Sequence, residues 1–175
     1  YHPSNADELA DMVYDLLWDF KDEYENGDKS LADLFLDKGE EDLRRVLANW
    51  LEKAGQSFFT IVEEEELADE KRIYIRLYHQ TDVRVVLELK VADNWTGPEL
   101  LAQLEDQLCG DYMRDGRSRH GFYVLFFMDR GIRKGWRINQ KKCDFDGLSE
   151  EIQKEWDGNI SHRFKGLNAR VIGID

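Results

Sequence analysis

The sequence predicts an α/β fold, a mixed central sheet flanked by helices. Three observations predict it. Two stretches in the first third repeat apolar residues at helical spacing. Three strand-like runs follow one another between residues 58 and 93 with short polar breaks, the pattern of an antiparallel meander. A strand, helix, strand order then follows. Its two strands, 84–93 and 122–128, are apolar enough to be covered on both faces, which calls for a parallel crossover.

The first helix is expected over 6–25. Ser4 and Asp7 stand at capping-box spacing, and Leu9, Met12, Val13, Leu16, Leu17, Phe20 and Tyr24 form its apolar stripe. Tyr14 and Trp18, four apart and off that stripe, suit a second layer or a partner domain. Asn26-Gly27-Asp28 ends the helix. Ser30 can cap a short helical turn carrying Leu31, Leu34 and Phe35. A second helix over 40–54 carries Leu43, Val46, Leu47, Trp50, Leu51 and Ala54, and Gly55 stops it. Glu40 and Glu41 open it, where the helix dipole favours acids. A functional alternative is that one of them reaches a metal near the strands.

Strands are expected at 58–66, 72–78 and 84–93. The middle one alternates Ile73, Ile75 and Leu77 against Arg72, Tyr74, Arg76 and Tyr78. Thr96 or Gly97 caps the next helix, with Pro98 in its first turn. Leu101, Leu104, Leu108 and Tyr112 face the core, while Gln103 and Gln107 share another face. A strand at 122–128, a basic glycine-punctuated segment over 130–142, a helix around 149–156 and a last strand at 169–174 complete the chain. No repeat or interdomain linker is visible. One domain over 1–175 with a helical N-terminal extension, 1–38, is expected.

The third strand, Arg-Val-Val-Leu-Glu-Leu-Lys-Val-Ala-Asp, organises the rest. Glu88 and Lys90 stand two apart, so they point to one face of a run that is otherwise buried. Burying an acid and an amine is costly unless they pair or hold something. A glutamate there can bind a hard cation, and a lysine a few ångströms away can polarise a phosphate or position a water. A salt-bridged pair at the end of a central strand is the alternative, with equal weight. Gln107 lies on the helix that starts just after this strand.

The net charge of −13 is unevenly spread. Residues 1–70 hold 21 acids against 6 bases, whereas 114–142 hold 9 bases against 2 acids. Arg114, Arg117 and Arg119, then Arg130, Arg133, Lys134, Arg137, Lys141 and Lys142, form a local basic segment. It can bind a polyanion in one place on a chain that repels it elsewhere, or it can be an ordinary solvated loop surface. The four histidines and two cysteines show no metal-ligand spacing, and no Ser/His/Asp set or glycine-rich phosphate loop is present. No apolar run approaches the roughly 20 residues of a membrane span, and no signal peptide is evident. A reducing cytoplasm is the expected compartment. A chain opening on Tyr1 reads as a piece of a larger parent protein.

The order helix, three-strand meander ending in Glu-x-Lys, helix with Gln, strand resembles the PD-(D/E)XK superfamily of restriction-endonuclease-like nucleases, over roughly residues 40–128. Gln107-Leu108 with Tyr112 is similar to the glutamine–tyrosine helix of the RecB-like branch, at a spacing one residue longer than usual. The run also looks like nuclease-like domains attached to large bacterial multidomain proteins, several of them in phage defence. The resemblance implies an αβββαβ core and an Mg²⁺- or Mn²⁺-dependent nuclease with DNA as the expected substrate. It implies that Glu88 is a metal ligand, that Lys90 is the catalytic lysine, and that Gln107 touches the scissile phosphate or holds Lys90. Glu41 corresponds to the first-helix glutamate that some members add. Arg114, Arg117, Arg119 and Lys134 are the expected nucleic-acid contacts, and other domains of the parent are expected partners.

One position departs from the pattern. Where the family carries a metal-binding Asp, in an arrangement like Arg-x-Asp-Ile-Arg, this chain has Arg72-Ile73-Tyr74-Ile75-Arg76. A phenol with a pKa near 10 is a poor ligand for Mg²⁺. Three cases stand open. Asp69 or Glu70 supplies the carboxylate from a shifted position, the domain is a degenerate nuclease that binds nucleic acid or a partner, or Tyr74 is a change that silences a toxic enzyme.

Overall fold

The computed structural model describes residues 3–27, 39–55, 58–68, 70–79, 83–113, 118–129, 131 and 135–175. The fold is mixed α/β. Helices α1 (Ala6–Asn26) and α2 (Glu40–Gly55) precede strands β1 (Thr60–Ala68), β2 (Glu70–His79) and β3 (Val83–Val91). A 3-10 turn, Ala92–Asn94, leads to α3 (Gly97–Gln103), which continues as a more widely wound π-type helix over Leu104–Tyr112. Then come β4 (His120–Phe126), the hairpin β5 (Trp136–Ile138) and β6 (Lys141–Cys143), α4 (Phe145–Glu155) with a π-type turn, Trp156–Ile160, and β7 (Asn168–Ile174). The main sheet has the order β1-β2-β3-β4-β7. β1 to β3 form the expected antiparallel meander, and β4 runs parallel to β3 as the crossover requires. β7 also runs parallel, beside β4.

The sheet separates two apolar layers. Residues 85, 87, 89 and 91 of β3 face α1 and α2, where Leu9, Val13, Leu17, Phe20, Leu43, Leu47 and Leu51 are buried. Val86 faces the opposite layer, with Leu100, Leu104, Leu108, Trp136, Leu148, Ile152 and Trp156. The alternation of a strand covered on both sides thus sends Glu88 and Lys90 toward the α3 side.

Local signals differ from the sequence reading in instructive places. The cap of α1 sits one residue later than expected. Asn5 accepts from Glu8 N, while Ser4 Oγ donates to the Glu8 carboxylate at 2.6 Å. Thr96 caps α3 in a reciprocal box with Glu99. The core face of α3 runs through Leu100, Leu104 and Leu108, with Leu101 only partly buried, because the winding widens after Gln103. The short turn expected at residues 30–35 lies outside the described residues. Tyr14 stacks on Phe122 with the Arg170 guanidinium over its ring, whereas Trp18 is 46% exposed.

The outer edge of β7 is covered by side chains rather than by a strand. The Gln153 amide donates to Ala169 O at 3.1 Å and accepts from Val171 N at 2.8 Å, as a neighbouring strand would. Lys21 donates to Gly173 O, and Asp175 N donates to Glu25. An open strand edge invites pairing with another chain, and these groups occupy it.

Candidate active site

The candidate site lies where the sheet divides. Pairing between β2 and β3 runs from His79↔Val83 to Ile75↔Leu87, while β2 stays paired with β1 as far as Glu70. Tyr74 stands one step beyond the last β2–β3 pair, at the backbone position that would oppose Glu88. On its other side β3 remains paired with β4 through Val91, with Glu88 opposite Tyr123. Past Leu87 the β2-facing edge of β3 is therefore available to other groups. Glu40, at the start of α2, takes part of it: its Oε1 accepts from Val91 N at 3.0 Å and from Trp95 Nε1 at 2.8 Å.

Glu88 and Lys90 are 2% and 6% exposed, values that an acid and an amine reach only when neighbours replace water. Lys90 Nζ lies 3.2 Å from Glu88 Oε1 and donates to Gln107 Oε1 at 3.1 Å. It also sits 4.7 Å from the centre of the Trp95 ring, a cation–π contact. Trp95 thus links the two halves of the site, with its N–H on Glu40 and its face on Lys90. The second carboxylate oxygen, Glu88 Oε2, is buried without a protein hydrogen-bond partner.

Burial pushes the Glu88 carboxyl up from 4.5 to about 7. The Lys90 ammonium and the Arg44 guanidinium pull it down, and the Glu40 carboxylate adds to the rise. Arg44 is itself buried on α2, and its Nε has no hydrogen-bond partner. Tyr123, fully buried beneath the site, donates its hydroxyl to Leu100 O at 2.8 Å. Its phenol is held well above its ordinary value by burial, then by Glu88 and Glu40, so it acts as a donor and not as a base. Cys109 is no alternative nucleophile, since burial and then the charge of Glu105 push its thiol up to about 12.

The structure brings Glu88, Lys90 and Gln107 together as the sequence suggested. It does not bring Glu41. That residue is 70% exposed and lies 3.5 Å from Arg45 on the outside of α2. The glutamate at the strand is Glu40. The signal was present in the spacing. Glu40 stands three before Leu43 and seven before Leu47, on the buried face, and Arg44 follows four later on that face. The sequence pattern singles out neither Trp95, just before the Thr96 cap, nor Tyr123, hidden inside an apolar strand. Asp69, Arg114, Arg117 and Lys134 lie outside the described residues. Arg119 is exposed at the opposite end of β4.

Among the described residues, the unpartnered Glu88 Oε2 is a suitable donor for a hard cation, and Mg²⁺ commonly takes only one or two protein carboxylates while keeping water and substrate oxygens. No group of three or more His, Cys, Asp or Glu among the described residues is placed to hold a metal. No helix among them is long and apolar enough to cross a membrane. No protein-family model matches the chain, and no curated protein matches it.

Proposed function

We propose that this chain is a nuclease-like domain of the PD-(D/E)XK type, a metal-dependent phosphodiester hydrolase with DNA as its substrate. The observation that carries the reading is the Glu88–Lys90–Gln107 cluster at the end of β3, where β2 has parted from β3. The element order α2, β1 to β3, α3, β4 supports it, since it is the αβββαβ order of that family's core. The long spacing between Gln107 and Tyr112 supports it as well. In the π-type segment one hydrogen-bonded step spans five residues, as Met113 N to Leu108 O does at 3.0 Å. The wider winding therefore takes up the residue by which this chain exceeds the usual motif.

Each residue then has a chemical task. Gln107 and the Trp95 face hold the Lys90 ammonium in place. Lys90 stabilises negative charge as it builds on the phosphoryl oxygens. Glu88, once ionised, offers Oε2 to a divalent cation. When bound, that cation supplies Lewis acidity and an activated water. The hairpin β5–β6, with Arg137 and Lys142, stands at the same end of the sheet because Trp136 Nε1 donates to Ala92 O and Trp95 O, both at 3.1 Å. It is suited to meet the DNA backbone. Attachment to a larger parent protein and an effector role in bacterial phage defence extend this reading.

A second reading, a catalytically degenerate module that binds DNA or docks to a partner domain, is favoured by two specific observations. Tyr74 stands where the family has its metal-binding Asp, and Glu88 sits directly on Lys90 with its proton retained to about pH 7. A cleavage assay on plasmid and single-stranded DNA with Mg²⁺ and Mn²⁺ separates them. Cleavage by the chain, or by its Tyr74→Asp variant alone, that disappears with Lys90→Met supports the nuclease. No cleavage by either chain in any divalent ion overturns it and leaves the degenerate module.

A further inference from the structure

A cavity of about 540 Å³ opens at the other end of the sheet, beside the starts of β4 and β7. Its floor is apolar, formed by Met113, Phe164 and Leu167, and its rim carries Arg119, Arg163 and Lys165. Val85, opposite His120 in β3, stands five residues before Lys90, so the cavity is about 16 Å along the sheet from the Lys90 position. It is a separate site.

Its charge runs against the chain. With 37 acids and 24 bases in the sequence, cations have acids to spare as partners. Yet neither the Arg119 guanidinium nor the Lys165 ammonium has an acidic partner among the described residues. Arg163 uses Nη1 on Glu105 at 2.5 Å, which leaves its remaining N–H donors for a ligand. Among the described residues, no acid lines the cavity itself. The Phe164 ring is braced from behind by Trp156, stacked at 6.3 Å and 24°. An aromatic ring beside three cationic side chains is the combination that takes a flat base and its phosphate together. The volume falls in the range of small-ligand sites.

We propose that this cavity binds a nucleoside phosphate, with the base on Phe164 and the phosphate on Arg119, Arg163 and Lys165. The ligand is either a free mononucleotide or one nucleotide of a strand. Titration calorimetry with AMP, and fluorescence anisotropy with a labelled oligothymidylate, test it on the full chain. Arg163→Ala/Lys165→Ala and Phe164→Leu should each weaken AMP or strand binding by tenfold or more. Lys90→Met, which disables the proposed nuclease site, should leave AMP binding in this cavity unchanged. The altered cavity side chains, Arg163, Phe164 and Lys165, are exposed or half-buried, and an unchanged melting temperature establishes that the fold is kept. AMP that binds and displaces the strand places both in this cavity. AMP alone binding identifies a free nucleotide as the ligand, and the strand alone binding identifies a nucleic acid. Binding of neither at millimolar AMP, or binding that the cavity variants do not weaken, overturns the proposal. Loss of DNA cleavage with cavity binding intact would refute only the nuclease reading.

Discussion

Replacing Glu88 by glutamine exchanges a buried acid for an uncharged side chain of nearly the same shape, and its effect on stability should depend on pH. The folded carboxyl keeps its proton to about pH 7, whereas an unfolded one releases it near 4.5. Between those values the folded state binds more protons, so this group's contribution to stability falls as pH rises. It is fully present below 4.5 and lost by the time pH has passed about 7. From about pH 5 to pH 8 the parent chain should lose roughly 2–3 kcal/mol on this account, and the glutamine variant should not. Other titrating groups are common to both proteins and cancel in the difference. The fixed effect of the substitution on Lys90 also cancels, because it is the same at both pH values. Urea unfolding of both proteins at the two pH values, with matched slopes, measures the quantity. The glutamine variant should gain on the parent by that amount at the higher pH. A difference that stays flat within about 0.5 kcal/mol would refute the reasoning, since Glu88 would then titrate like an exposed acid. A millimolar divalent cation provides the complementary reading. Binding to ionised Glu88 should stabilise the parent at pH 8 and leave the glutamine variant unmoved.

Glu40→Ala should cost about 1–3 kcal/mol in urea unfolding, because Val91 N–H and the Trp95 indole lose their shared acceptor. Glu41→Ala should stay within about 0.5 kcal/mol, and equal costs would contradict the assignment of the inner glutamate. Tyr123→Phe should lose about 0.5–1.5 kcal/mol, read in the same assay, as Leu100 O loses its donor. Gln153→Ala should speed amide exchange at Val171 and promote self-association at high protein concentration; unchanged exchange would show that the β7 edge is protected by something other than the Gln153 amide.

The sequence by itself determined the class of the fold and its main elements. Periodicity carried that information: the 3.6-residue stripes of α1 and α2, the alternation at 72–78, and the two-sided apolar runs of β3 and β4 each admit one kind of packing. It also determined that Glu88 and Lys90 share a face, because a strand allows no other arrangement of i and i+2. Only the tertiary structure decided what that face meets. Lys90 touches Gln107 because α3 returns over β3, and Glu40 reaches Val91 because β2 has parted from β3. Neither contact is encoded in local spacing, since each joins residues 17 or more positions apart across two elements. The proton on Glu88 has the same origin. Its rise to about 7 comes from burial under several elements at once, a property of the assembled layers rather than of the residue or its neighbours in the chain.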